Sequence, residues 1–88
     1  MTWRLKIARS AERNLRRVPD RDRRRIVAAL AELAQDPYAA HGVVKLTNYP
    51  AGFRLRVGAY RVLYDIVLEE RCIEVLDILR RSSTTYRR

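Results

Sequence analysis

Arg54, Arg56 and Arg61 are the residues of this sequence best suited to chemistry. They lie in the run Phe53-Arg54-Leu55-Arg56-Val57-Gly58-Ala59-Tyr60-Arg61-Val62-Leu63-Tyr64, where apolar and polar residues alternate on both sides of Gly58-Ala59. Such a pattern predicts two strands joined by a tight turn, glycine supplying the positive φ that the turn needs. A two-residue loop sets Val57 opposite Tyr60, Arg56 opposite Arg61, Leu55 opposite Val62 and Arg54 opposite Leu63. One face is then apolar, with Phe53, Leu55, Val57, Tyr60, Val62 and Tyr64, and the other gathers guanidinium groups. Like charges directly opposite each other weaken a sheet by up to about 1 kcal/mol, so Arg56 against Arg61 points to an anionic partner. Planar guanidinium forks grip phosphate oxygens in pairs. The competing explanation is salt bridging to Asp65, Glu74 or Asp77, Asp65 sharing the Arg61 face. Exposed pairs of that kind contribute only about 0 to 1 kcal/mol each and do not account for the clustering.

The elements that position these arginines must come from 88 residues, enough for a single domain spanning 1–88. The charged fraction is 33%, yet no low-complexity tract accompanies it, so a folded domain is expected. Net charge is +9, and all the basic residues except Lys6 and Lys45 are arginine. That balance predicts attraction to polyanions and salt-sensitive association. Cys72 is the sole cysteine and His41 the sole histidine, which excludes an internal disulfide and a Cys/His metal site. Cys72 reads as a small core residue, His41 as a loop residue without a catalytic role, and no metal or small-molecule cofactor is expected. Met1-Thr2-Trp3-Arg4-Leu5-Lys6 alternates charge with apolar side chains, unlike a signal peptide. The run Ile26 to Ala31 is too short to span a bilayer, so a cytoplasmic protein without membrane association is expected.

Trp3, Leu5 and Ile7 alternate with Arg4 and Lys6, the period of a first strand. A helix is expected over Ala11 to Val18 with Ser10 as its cap, stopped by Pro19-Asp20. A second helix should run from Asp20, whose side chain can cap, to about Gln35, with Ile26, Val27, Leu30, Leu33 and Ala34 as its apolar stripe. Arg21, Arg23, Arg24 and Arg25 crowd its first half, where they oppose the helix dipole, and read as a solvated basic face or a phosphate- or acid-binding surface. Tyr38 to Tyr49 reads as a loop carrying Lys45. Beyond the arginine hairpin the strand continues through Val67, turns at Glu69-Glu70-Arg71, and returns over Cys72 to Leu79. The expected fold is α+β: an N-terminal strand, a two-helix antiparallel hairpin, then a three-stranded antiparallel meander, all strands in one curved sheet. The closing segment can bring Arg80, Arg81 and Tyr86 over the arginine face.

The order of elements, with Leu46, Tyr49-Pro50, the run Phe53 to Tyr64, Ile78 and a closing Tyr86-Arg87, resembles the RelE/ParE superfamily of bacterial and archaeal toxins. The likeness spans nearly the whole chain and is most specific at the hairpin, in its arginine-bearing strand, Gly-x-Tyr-Arg turn and following aromatic. It implies a toxin of a type II toxin–antitoxin system. In the RelE branch this is a ribosome-dependent endoribonuclease that cuts mRNA without a metal; in the ParE branch it is an inhibitor of DNA gyrase. The partners implied are a cognate antitoxin, small and acidic overall or in its toxin-binding segment, and the ribosome with its mRNA. A basic RNA- or ribosome-binding protein without activity is the remaining alternative.

The resemblance also implies site residues. The two basic positions of the hairpin's first strand fall on Arg54 and Arg56, and the arginine after the turn on Arg61. The basic position after the last strand falls on Arg80 or Arg81, and the near-terminal tyrosine on Tyr86. The implied catalytic set is Arg54, Arg56, Arg61, Arg81 and Tyr86, with Lys45, Arg80 and Arg87 binding RNA. Some RelE-type toxins carry lysines where this chain has Arg54 and Arg56, and arginine does not accept a proton near neutral pH. The proton acceptor is then Tyr86 or Lys45, and the Tyr86 ring can instead stack on a base.

Overall fold

The computed structural model describes residues 2–38, 42–46 and 51–81. Its elements are β1 (Arg4–Ile7), α1 (Arg9–Arg17), α2 (Asp20–Gln35), β2 (Val43–Lys45), β3 (Phe53–Val57), β4 (Tyr60–Val67), a short 3-10 turn (Leu68–Glu70) and β5 (Cys72–Arg80). The strands form one sheet in the order β1-β5-β4-β3-β2. β2 to β5 run antiparallel, and β1 lies parallel to β5. The helices between β1 and the rest of the chain supply the crossover that a parallel pair needs.

One face of the sheet is the core. Leu55, Tyr60, Val62, Tyr64, Ile73, Val75 and Ile78 are buried there with Ala11 of α1, Val18, and Ile26, Leu30 and Leu33 of α2. Spacing of three and four residues puts Ile26, Leu30 and Leu33 on one side of α2, whereas Val27, expected in that stripe, is 51% exposed. Cys72 is buried. Trp3, Tyr38, Phe53 and Tyr64 form an aromatic ladder, edge-to-face at its first two steps and stacked at 5.4 Å between Phe53 and Tyr64. No described helix is long and apolar enough to cross a membrane.

Polar residues of the helices act differently from the sequence reading. Ser10 is not the cap of α1: Ala8 holds that position, and Ser10 Oγ donates instead to the Leu76 carbonyl at 3.0 Å. Leu76 is the extra residue of a bulge, because Leu63 pairs with Asp77 while Tyr64 pairs with Val75. One turn along α1, Asn14 donates to Asp77 Oδ1 at 2.8 Å, and the same oxygen accepts the Ile78 N–H. The bulge is thus held by α1. Asp20 does not cap α2 with its side chain either. Pro19 occupies the cap, and Asp20 pairs with Arg23 and Arg24.

Segment 38–49 is not all loop. Val43–Lys45 pairs with β3, Val44 facing Arg54, so the meander has four strands where the sequence predicts three. Three residues are too few for a two-residue period to stand out. The arginine hairpin has the expected register throughout, with Gly58 at φ +58° in its turn. A side chain at Gly58 would also meet the Arg25 guanidinium, 3.2 Å from where a Cβ would sit.

Tyr64 provides a test of the core. Its hydroxyl donates to the buried Pro37 carbonyl at 3.3 Å, and burial, with Tyr38 nearby, pushes its pKa up to about 12. The unfolded phenol ionises near pH 10 while the folded one stays protonated, so stability should hold up to about pH 10 and fall as pH rises toward 12. Chemical denaturation across pH 9 to 12 should show Tyr64→Phe, which lacks the ionisable group, losing on the order of 2 kcal/mol less than the wild type over that range. Equal losses in the two proteins would refute this assignment.

Candidate nucleic-acid interface

The face of the sheet opposite the helices carries the arginines. Alternation on β3 and β4 points Leu55, Tyr60 and Val62 into the core, and so turns Arg54, Arg56 and Arg61 to the other side. Arg56 lies directly across from Arg61, and Arg54 sits diagonally from it, across from Leu63. Arg54 and Arg61 line a small cleft of about 110 Å³, walled by Leu46, Leu63 and Leu79. Arg56 is exposed beside it.

The Arg54 side chain is half-buried, and its Nε is buried with no hydrogen-bond partner among the described residues. An unmatched buried donor costs about 1 to 3 kcal/mol, and more on a charged group, so an anion entering the cleft relieves a cost already present in the free protein. Nor do the nearby carboxylates neutralise Arg54 or Arg56. Asp65 accepts the Gly52 N–H, Asp77 is occupied by Asn14 and Ile78, and no described ion pair involves Arg54 or Arg56. Salt bridging therefore does not explain the Arg54 and Arg56 placements.

Other sequence-predicted positions separate. Lys45 pairs with Phe53 and so belongs to the helix side of the sheet, opposite the arginines. Arg80 pairs with Tyr60, also on the helix side, where with Arg17, Val18 and Tyr60 it lines a groove of about 390 Å³. Arg81 follows one residue later, its N–H donating to the Ala59 carbonyl in the hairpin turn. Strand alternation then directs Arg81 to the face of Leu79, next to Arg61. Of the two candidates after the last strand, Arg81 rather than Arg80 shares the face of Arg54, Arg56 and Arg61. Tyr86 and Arg87 lie outside the described residues. The cleft walls Leu46, Leu63 and Leu79 are the part that sequence reasoning missed, although the two-residue period already set Leu63 beside Arg61 and Asp65 on one face. Among the described residues no group of three or more His, Cys, Asp or Glu side chains is arranged to hold a metal ion.

The chain is similar in fold to solved structures of toxins and toxin–antitoxin complexes. The crystal structure of an archaeal RelE–RelB complex from Pyrococcus horikoshii matches with 28% identity and a TM-score of 0.81, over 94% of this chain and 99% of that one. The toxin–antitoxin complex RelBE2 of Mycobacterium tuberculosis matches with 28% identity and a TM-score of 0.79, over 92% and 100% of the two chains. The isolated Escherichia coli RelE toxin shares the fold, with a TM-score of 0.77 at 20% identity over 94% and 90%. No curated protein matches the chain in sequence. Residues 5–84 match the family model described as the ParE toxin of the type II toxin-antitoxin system, parDE. With that match spanning nearly its whole length, the chain belongs to the ParE toxin family of type II toxin–antitoxin systems, within the RelE/ParE superfamily.

Proposed function

We propose that this toxin is a metal-independent endoribonuclease that cuts mRNA on the ribosome and so stops translation, with a cognate antitoxin as its silencing partner. The observation that carries the reading is the cleft between Arg54 and Arg61, with a buried guanidinium N–H waiting for an acceptor. A scissile phosphate seated there meets charge from both sides. The 2′-oxygen of the RNA attacks the adjacent phosphorus in line, the bond from phosphorus to the 5′-oxygen breaks, and a 2′,3′-cyclic phosphate and a 5′-hydroxyl result. One proton leaves the 2′-hydroxyl and one reaches the 5′-oxygen. Arg54 and Arg61 stabilise the charge that builds on the phosphoryl oxygens, and Arg56 and Arg81 guide the flanking backbone. Arginine does not take the first proton. Lys45 is on the far side of the sheet, which leaves Tyr86 as the proton acceptor in this scheme. The decisive experiment is a translation extract with primer extension on a defined message, where cleavage by the purified protein is expected and its absence overturns the reading.

Each phosphate contact should also register as salt dependence. Arg54→Gln should flatten the slope of log affinity for single-stranded RNA against log salt by about 0.7, the value for one lost phosphate contact, whereas Lys45→Gln should leave it unchanged. A specific observation favours a second reading, inhibition of DNA gyrase by binding: the matching family model is that of ParE, and both basic positions of β3 are arginine, which binds anions but does not accept a proton. Inhibited supercoiling by the purified protein with an intact message would decide for it. Salt-dependent RNA binding with neither effect would identify a toxin-derived binding protein.

A further inference from the structure

Two depressions on opposite sides of the sheet share a wall. The groove of about 390 Å³ on the helix side and the cleft between Arg54 and Arg61 both touch Leu79, near the end of β5. The next two residues divide between them. Arg80 lines the groove, and Arg81 follows on the face of Arg61, its N–H tied to the hairpin turn at Ala59. At the same turn the Arg25 guanidinium of α2 lies against Gly58. Cations therefore succeed one another from the cleft, around the hairpin tip and into the groove.

The groove itself combines an apolar floor with charge. Val18, Pro19, Tyr60 and Ile78 line it, and Arg17 and Arg80 bring two guanidinium groups to it. Neighbouring arginines are neutralised by the chain's own carboxylates, Arg16 by Glu12, and Arg23 and Arg24 by Asp20. Arg17, Arg25 and Arg80 make no such ion pair among the described residues. The volume falls within the roughly 300 to 1,000 Å³ of small-ligand pockets, a scale that suits one nucleotide.

We propose that the groove is a second RNA subsite. The strand whose scissile phosphate sits in the cleft passes over the hairpin tip, and a flanking nucleotide seats its phosphate between Arg17 and Arg80 with its base on the apolar floor. This rests on the ribonuclease reading of the cleft. Guanidinium forks bind phosphate oxygens in pairs, and apolar and aromatic surfaces hold the bases of single strands with little regard to sequence. Continuity with the cleft selects RNA over a segment of a partner protein, because Arg80 and Arg81 are consecutive and a backbone guided by Arg81 meets Arg80 next. No bond is made or broken in the groove, so it contributes to holding the message and not to the rate of scission.

The test uses 2′-O-methyl RNA, which has no free 2′-hydroxyl to attack, as an octanucleotide and as a dinucleotide. Arg17→Gln and Arg80→Gln together should weaken octanucleotide binding by about tenfold at low salt and flatten the slope of log affinity against log salt by about 0.7, the value for one phosphate contact. Arg4→Gln and Arg9→Gln together remove the same charge from positions that do not line the groove, and should leave the slope unchanged. The dinucleotide, its one phosphate held in the cleft, should bind the groove variant and the wild type alike. In the translation extract the groove variant should need several-fold more message for half-maximal cleavage while its maximal rate stays within about twofold, as for the loss of uniform binding. An octanucleotide slope equal to that of the wild type overturns the subsite, and the cleft reading stands if Arg54→Gln still flattens it. An octanucleotide that binds neither protein, or a slope indifferent to Arg54→Gln, counts against the ribonuclease reading and takes the subsite with it. A groove variant that keeps its RNA affinity but loses the protein encoded by the adjacent reading frame would assign the groove to that partner and overturn the proposal.

Discussion

Arg61→Ala is expected to lower the rate of mRNA cleavage by about 100- to 1000-fold, the usual consequence of removing one charge-stabilising donor from a transition state. Arg61 faces both Arg56 across the strands and Leu79 on β5, and it lines the same cleft as Arg54. Its loss leaves the phosphate gripped from one side. The fold should tolerate the change, since Arg61 is not part of the core and its removal relieves the like-charge pairing with Arg56. Stability should stay within about 0.5 kcal/mol of the wild type. Arg56→Ala, exposed beside the cleft, should cost less than either cleft arginine, and Lys45→Ala should cost nothing. The measurement is primer extension in a translation extract at matched protein concentrations. Undiminished cleavage by Arg61→Ala, or a large loss in Lys45→Ala, would place the chemistry elsewhere. Should the protein act on gyrase instead, the same series applies to supercoiling inhibition, and the cleavage arm reads zero for every variant.

Why some of this site is visible in the sequence and some is not comes down to parity along the strands. The hairpin from Phe53 to Tyr64 is readable because two alternating runs flank a glycine that must take positive φ, so turn and register determine each other. β2 offers three residues and no period, which hides both its pairing and the fact that Lys45 turns toward the helices while Leu46 joins the cleft. β5 is harder still. Ile73 and Val75 face the core, and a straight strand would carry Leu79 and Arg81 to that same side, leaving Arg80 among the arginines. The bulge at Leu76 inserts one residue and reverses the parity, so that Ile78 returns to the core and Leu79 and Arg81 join Arg61. That bulge is stabilised by Ser10 and Asn14, two polar residues one turn apart on α1. Both stand far from Leu76 in the chain. Their pairing is a tertiary fact that local pattern cannot carry, and it chooses which of two adjacent arginines faces the cleft.

Tyr64→Ala should be the counterpart of Arg61→Ala, abolishing activity through the fold rather than through chemistry. The two residues lie on β4 three positions apart and face opposite sides of the sheet. Tyr64 is fully buried, stacks on Phe53 and bonds the Pro37 carbonyl, so truncation removes a ring from the aromatic ladder and strands a buried acceptor. Deleting a large buried aromatic costs about 3 to 5 kcal/mol, set against total stabilities of about 5 to 15 kcal/mol for domains in general. In urea titrations the midpoint should fall while the slope is retained, as expected when stability changes and the surface exposed on unfolding does not. Activity lost by Tyr64→Ala should return in part on cooling or on addition of a stabilising osmolyte, because the arginine face is intact in each molecule that remains folded. Activity lost by Arg61→Ala should not return. If Tyr64→Ala keeps its urea midpoint, the stacked ring is not what joins the hairpin to the core. The arginine face would then be held on its buried side by Leu55, Tyr60 and Val62.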